Sequence, residues 1–249
     1  MNKHQSSAIV TGGASGLGEA TVRLLRAQGM HVVFCDRQTN DALARETGAV
    51  FVQGDVTKAE DIEAAIAKAN GPAPLRVVVH CAGILGGARI SGKEGPHDLA
   101  SFEKIIHVNL IGTFNVLRLC SHAMSQSTMD NPDGARGVII TTASIAAFEG
   151  QIGQAAYSAS KAGVVGMTLP AARELARFGI RVVTIAPGLF ETPMMGGLSE
   201  KAATQLQESV VYPARLGKAA EFAQMALSII DNPMLNGCTI RLDGAVRLI

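Results

Sequence analysis

The chain has 249 residues, 47% of them hydrophobic and 4% aromatic, with a formal net charge of +1. That length suits one α/β domain with a sizeable core, and a charge balance without acidic or basic blocks argues against broad nucleic-acid or anionic-membrane binding. No apolar stretch is long enough to span a bilayer, the polar start MNKHQSS leaves no room for a signal peptide, and four scattered cysteines without a CxxC read as reduced core residues, so a cytoplasmic location is expected.

Along the chain, apolar β-branched runs alternate with helical patterns. The first strand, SAIVTG (7–12), runs into TGGASGLG and a helix over 17–28. Gly12, Gly16 and Gly18 thus stand between a strand and a helix, where glycine lets the backbone turn tightly and approach a pyrophosphate at the positive end of the helix dipole. The second strand, HVVFCD (31–36), ends on Asp36. A carboxylate at that place accepts from both ribose hydroxyls and repels a 2′-phosphate, which favours NAD over NADP. Ser15, ahead of Gly16, is not basic and agrees; Arg37 is the contrary note, able to stack on adenine or to meet a phosphate. The third strand, AVFVQGD (49–55), ends on Asp55, either an acceptor for the adenine amino group or a plain turn acid. A helix over 58–69 follows, with Thr57 as its expected N-cap and Glu60 three residues on.

The fourth strand, LRVVVHCAG (75–83), leads into a glycine-rich polar segment, 85–97, and then a long helix over 101–125 that carries Asn109. GVIITTAS (137–144) is a strand ending on Ser144; a helix over 155–176 opens with YSASK; IRVVTIAPG (180–188) is the sixth strand. The segment 189–217 mixes Met, Gly and Pro, and a helix (219–230) and a strand (239–244) close the chain. Most strands are apolar on successive residues, the pattern of strands covered on both faces. The expected fold is a single domain spanning 1–249: α/β, doubly wound, with seven parallel strands and helices on both faces.

Tyr157 and Lys161, four apart on one helix, share a face. A phenol titrates near 10 and is a poor base at neutral pH, whereas a nearby ammonium favours the phenolate. The pair therefore reads as a general acid/base for a hydroxyl proton, tuned by the lysine. Ser144 is placed to donate to the same substrate oxygen, and Asn109 to hold a water beside the lysine. The six histidines show no metal-ligand spacing, and no metal is expected.

The ordered set TGxxxGxG, AG after the fourth strand, Asn109, Ser-x12-Tyr-x3-Lys and PG after the sixth strand resembles the short-chain dehydrogenase/reductase family over the whole chain. That resemblance implies a Rossmann fold, hydride transfer to or from nicotinamide, and a catalytic tetrad of Ser144, Tyr157, Lys161 and Asn109. It carries a cofactor site over to Gly12, Ser15, Gly16, Leu17, Gly18, Asp36, Asp55, Val56, Cys81, Ala82, Gly83, Tyr157, Lys161, Pro187, Gly188 and Thr192. Lys161 would hold the nicotinamide ribose, and Thr192 the carboxamide or a phosphate.

FEGQIGQAAYSASKAGVVGMTLPAARELARFGIRVVTIAPGLFETPM and NPMLNGCTIRLDGAVR resemble more narrowly the type II 3-hydroxyacyl-CoA dehydrogenases, a group that also oxidises hydroxysteroids. This implies NAD as cofactor, an acyl-CoA as small-molecule partner, and a homotetramer, with neither nucleic acid nor membrane as partner. Gln154, Leu189, Met194 and Met195 are the expected substrate contacts; Met194, Met195, Leu198, Val210, Val211 and Tyr212 either supply adaptable apolar surface for the substrate or pack a short helix onto the domain. Arg89 and Lys93 on the 85–97 insertion either meet CoA phosphates or are solvated loop charges. Two departures from the family pattern are His80, where an asparagine is usual, and Glu191, which either disfavours an anionic group nearby or points to water. A ring nitrogen of His80 is expected to steady the central sheet in place of the amide.

Overall fold

Each apolar run becomes a strand. The computed structural model describes residues 2–93, 95–129, 131–193 and 208–248. In chain order the main elements are β1 (Ser7–Thr11), α1 (Gly16–Ala27), β2 (His31–Asp36), α2 (Asp41–Thr47), β3 (Val50–Gln53), α3 (Ala59–Asn70) and β4 (Leu75–His80). They continue with α4 (Leu99–Ile106), α5 (Gly112–Ser125), β5 (Gly137–Thr142), α6 (Ala155–Leu175), β6 (Ile180–Pro187), α7 (Ala219–Asp231) and β7 (Thr239–Leu242). The strands form one sheet in the order β7-β6-β5-β4-β1-β2-β3, parallel at every pairing. The order reverses between β1 and β4, and the crevice at their carboxyl ends is where such a sheet binds ligands.

Alternate strand residues feed two cores. Ala8, Val10, Val32 and Phe34 pack with Val22 and Leu25 of α1, Leu43 of α2 and Phe222 of α7. Ile9 and Val33 point the other way, onto Ile62 of α3 and Val116 and Cys120 of α5. All five residues of β1 and all six of β4 are buried, which explains why these strands are apolar without alternation.

Three local features differ from the sequence reading. α2 was not expected; it is short, buries only Leu43 and is capped by the Asn40 side chain, which accepts from Leu43 N. Thr57 does not cap α3: its hydroxyl donates to Asp55 Oδ1 at 2.8 Å, and Lys58 takes the N-cap position. The long helix expected over 101–125 is broken into α4 and α5 by a π-helical turn at His107–Ile111, which contains Asn109. The 85–97 insertion makes a small antiparallel pairing of Ser91–Gly92 with Gly95–Pro96. No helix among the described residues is long and apolar enough to cross a membrane.

Candidate active site

The β1–α1 turn forms one wall of a cleft of about 580 Å³. Gly12 and Gly18 leave no room for side chains. A Cβ on Gly12 would lie 2.7 Å from Ala82 N, and one on Gly18 would lie 2.0 Å from Gly12 O, so the turn is packed against α1 and the β4 loop. Gly12 and Gly16 also hold positive φ (65° and 53°), where a Cβ is strained. A narrow backbone cradle at a helix N-terminus fits a pyrophosphate. Across the cleft Asp36 accepts from Ala14 N and Gln38 N, both at 3.1 Å, which fixes its carboxylate at the wall with lone pairs to spare. Cys81, Ala82, Gly83, Val56, Asp55 and Thr192 complete the lining together with the turn residues Gly12, Ser15, Gly16, Leu17 and Gly18. The shape and donors fit a nicotinamide dinucleotide.

Arg37 is exposed and leans toward Asp55 at 3.8 Å. Asp55 spends one oxygen on the Thr57 amide and hydroxyl, and these bonds together with Arg37 outweigh burial to hold its carboxyl below the usual range. One oxygen is thus engaged in its own turn, while the residue also lines the cleft.

A second cavity, about 300 Å³, opens beside the first and shares Leu17, Cys81, Gly83, Ile84 and Thr192 with it. Ser144, Tyr157, Lys161, Gln154, Pro187, Gly188 and Leu189 all line it. Ser144 accepts from Ala146 N at 3.1 Å, capping the turn after β5, and its hydroxyl proton is directed at the Tyr157 oxygen across the cavity. Lys161 is buried, and Nζ donates to Thr142 O at 2.8 Å and stands 5.8 Å from the Tyr157 ring centre. Burial pushes Lys161 down to about 8. Burial also raises Tyr157 above its ordinary value, against a pull from its hydrogen bond with Ser144. Burial thus sets the resting pair as phenol and ammonium, the state from which a tuning lysine acts.

Asn109 is buried outside both cavities. Its amide is fully engaged, accepting from Ile84 N (2.8 Å) and donating to Ile84 O (3.0 Å) and Ser160 Oγ (3.1 Å). The side chain thus clamps the β4 loop. The main-chain carbonyl of Asn109 accepts from Thr113 Oγ1 at 2.5 Å. Because Thr113 spends its proton there, its oxygen accepts from His80 Nε2 at 2.9 Å, and His80 Nδ1 accepts from the Thr11 hydroxyl at 2.7 Å. His80 is therefore neutral with the proton on Nε2; burial, with a further push from Lys161, lowers its pKa to about 3. It links β1, β4 and α5, as expected of a sheet-steadying residue.

A short chain dehydrogenase family model matches residues 6–203. The human 3-hydroxyacyl-CoA dehydrogenase type-2 is 51% identical over 97% of this chain and 95% of its own length. The chain belongs to the short chain dehydrogenase family. It is an oxidoreductase of that family. The crystal structure of 3-hydroxyacyl-CoA dehydrogenase type-2 from Mycobacterium avium superposes with a TM-score of 0.95 at 45% identity, covering 98% of this chain and 97% of that one. A more distant relative, ipsdienol dehydrogenase of Ips pini, is 37% identical over 99% of both chains.

In this short chain dehydrogenase Glu191 is exposed and lies in register with Lys218, where Phe190–Glu191 pairs with Gly217–Lys218. Arg89 and Lys93 are exposed on the insertion. Val210 is buried, whereas Val211 and Tyr212 are exposed. Met194, Met195 and Leu198 lie outside the described residues. The sequence reading missed Ile145 and Leu248, which also line the second cavity. Ile145 directly follows Ser144 and was within reach of that reading; Leu248 arrives from the far end of the chain and carried no local signal.

Proposed function

We propose that this chain is an NAD-dependent dehydrogenase that interconverts a 3-hydroxyacyl-CoA and the 3-ketoacyl-CoA. The observation that carries the reading is the convergence of Ser144, Tyr157 and Lys161 on one cavity continuous with the dinucleotide cleft. When bound, the nicotinamide supplies the hydride acceptor or donor. Tyr157 holds the proton of the substrate's C3 oxygen, giving it to a ketone and taking it from an alcohol. Ser144 donates to that same oxygen and orients it. Lys161, an ammonium at neutral pH, stabilises negative charge as it develops on the phenol oxygen. Asn109 and His80 act through the backbone they fix. Asp36 supports NAD over NADP, and the two relatives named for 3-hydroxyacyl-CoA support the substrate class.

The apolar lining from Ile145, Leu189 and Leu248 and the ipsdienol relative favour a second reading, oxidation of a bulkier apolar secondary alcohol such as a hydroxysteroid. A carrier-protein reductase is disfavoured by the NADP that such enzymes usually take. One assay separates these: absorbance at the NADH band with acetoacetyl-CoA, a ketosteroid and an acyl-carrier substrate in parallel, each with NADH and NADPH. The proposal expects acetoacetyl-CoA with NADH to give the highest kcat/KM; a higher value for the ketosteroid would replace the first reading by the second. The same reading includes a homotetramer, supported by the exposed Ile111 and Phe114 on one face of the α4–α5 unit.

A further inference from the structure

Residues 243–248 form a clamped wall of the substrate cavity. After β7 the backbone reverses through Gly244 and Ala245, both at positive φ (57° and 64°). Ala245 is a side-chain-bearing residue in the left-handed region, a conformation that persists only where surrounding contacts impose it. Those contacts are present. Arg241 donates from Nε to Asp243 at 2.7 Å, from Nη1 to Glu149 Oε1 at 2.8 Å and from Nη2 to Val246 O at 3.1 Å, with the Phe148 ring 5.5 Å from its guanidinium. Glu149 also accepts from the main-chain amide of Leu248 at 3.2 Å. Glu149 lies only a few residues beyond Ser144, on the same loop. On the other side Val211 N and Tyr212 N both donate to Gly244 O at 3.1 Å. Val246 is buried against Ile145 and Val210, and Leu248 packs on that cluster while lining the cavity that holds Tyr157.

The Glu149–Arg241 contacts reach one half-buried leucine beside the reacting groups. We propose that Leu248 determines how long or bulky an acyl chain the cavity accepts, and that the Glu149–Arg241 pair is a positioning device that keeps it there. An apolar wall fixed by two-armed ion pairing sets chain length by volume: each methylene admitted or refused shifts kcat/KM by about 10-fold or more. The inference rests on the acyl-chain reading above for its substrate, but not for its geometry.

The test measures kcat/KM for acetoacetyl-CoA and 3-ketooctanoyl-CoA, and for butan-2-one and octan-2-one, with the unmodified chain and with Leu248→Ala, Leu248→Phe and Glu149→Gln. The long-to-short ratio is expected to rise about 10-fold in Leu248→Ala, to fall in Leu248→Phe, and to rise by a smaller factor in Glu149→Gln, which keeps the shape but releases Arg241. A ratio that stays put in both Leu248 variants, with melting temperature lowered or not, would overturn the proposal and leave the tail a purely structural clasp. If the unmodified chain turns over neither CoA ester, the acyl-CoA reading fails, and the ketone pair still reads the ratio and decides the role of Leu248.

Discussion

Burial acts on Tyr157 and Lys161 in opposite senses, raising the phenol and lowering the ammonium to about 8. Both still carry their protons at neutral pH, which suits Tyr157 as the acid for ketone reduction. Tyr157→Phe removes that proton and should lower turnover by about 10²–10⁴-fold with cofactor affinity little changed; near-native turnover with acetoacetyl-CoA would remove Tyr157 from the mechanism. Asp36→Ala removes the carboxylate proposed to meet the ribose, so the proposed preference for NADH over NADPH should shrink or invert, read as the ratio of kcat/KM values. An unmodified enzyme that uses both cofactors equally would sink that assignment. His80 affects stability. Its pKa is about 3 in the folded chain against an ordinary 6.5, so the unfolded state binds the proton first as pH falls. The contribution of neutral His80 is intact above pH 6.5 and is lost progressively from there down toward pH 3, by about 1.4 kcal/mol per pH unit. Between pH 7 and pH 5 the unmodified chain should therefore lose about 2 kcal/mol that His80→Asn, which keeps a donor and an acceptor but does not titrate, does not lose. Equal losses in urea melts of the two chains would mean that His80 is not held neutral.

The strands were legible because burial on both faces forces unbroken β-branched runs, and the β1–α1 turn because its glycines answer to backbone contacts that no other residue allows. A Cβ on Gly18 would meet Gly12 O at 2.0 Å, whereas one on Gly166, in α6, meets nothing within 4 Å. Gly18→Ala should therefore push α1 off the turn, costing about 1–3 kcal/mol and most of the NAD affinity, while Gly166→Ala should stabilise α6 by about 0.5–1 kcal/mol. Thermal melts with and without NAD check both; a Gly18 variant that binds NAD normally would mean that the turn has slack. What was not legible depends on competition or on distance. α2 buries one leucine and so carries no periodic signal. Thr57 has the identity of a cap, but Asp55, two residues away, captures its hydroxyl first. The π-helical turn around Asn109 has no sequence code, and it removed the simple picture of an amide holding water by turning that amide onto Ile84 and Ser160. Leu248 reaches the cavity only through a tertiary ion network. The Ser144, Tyr157 and Lys161 placement was readable because each sits at the end or start of an element whose type the pattern made plain.

At the scale of the whole molecule the sheet uses both its faces for the core, so the helices must present their outer surfaces to something else. Most of these surfaces are polar, but α4 and α5 flank a stripe on which Ile111 is 47% exposed and Phe114 52% exposed, three residues apart and on one side. Leu99 at the start of α4 is exposed as well. A single apolar side chain in water needs no explanation, whereas neighbouring large ones on a regular face are what the proposed homotetramer would cover. A second copy of the same chain can cover it through a two-fold axis, since one helical stripe is self-complementary. Because α4–α5 also carries Asn109 and Thr113, loss of that packing would reach the candidate active site through the π-helical turn. Ile111→Glu with Phe114→Glu places two like charges in each copy and four across the axis, so the assembly should fall to a smaller species by light scattering at micromolar concentration, with activity falling alongside it. Restoration of both size and activity by Ile111→Leu with Phe114→Leu would tie the effect to apolar packing, and an unmodified chain that runs as a monomer at the same concentration would show that this face has no copy of itself as its partner.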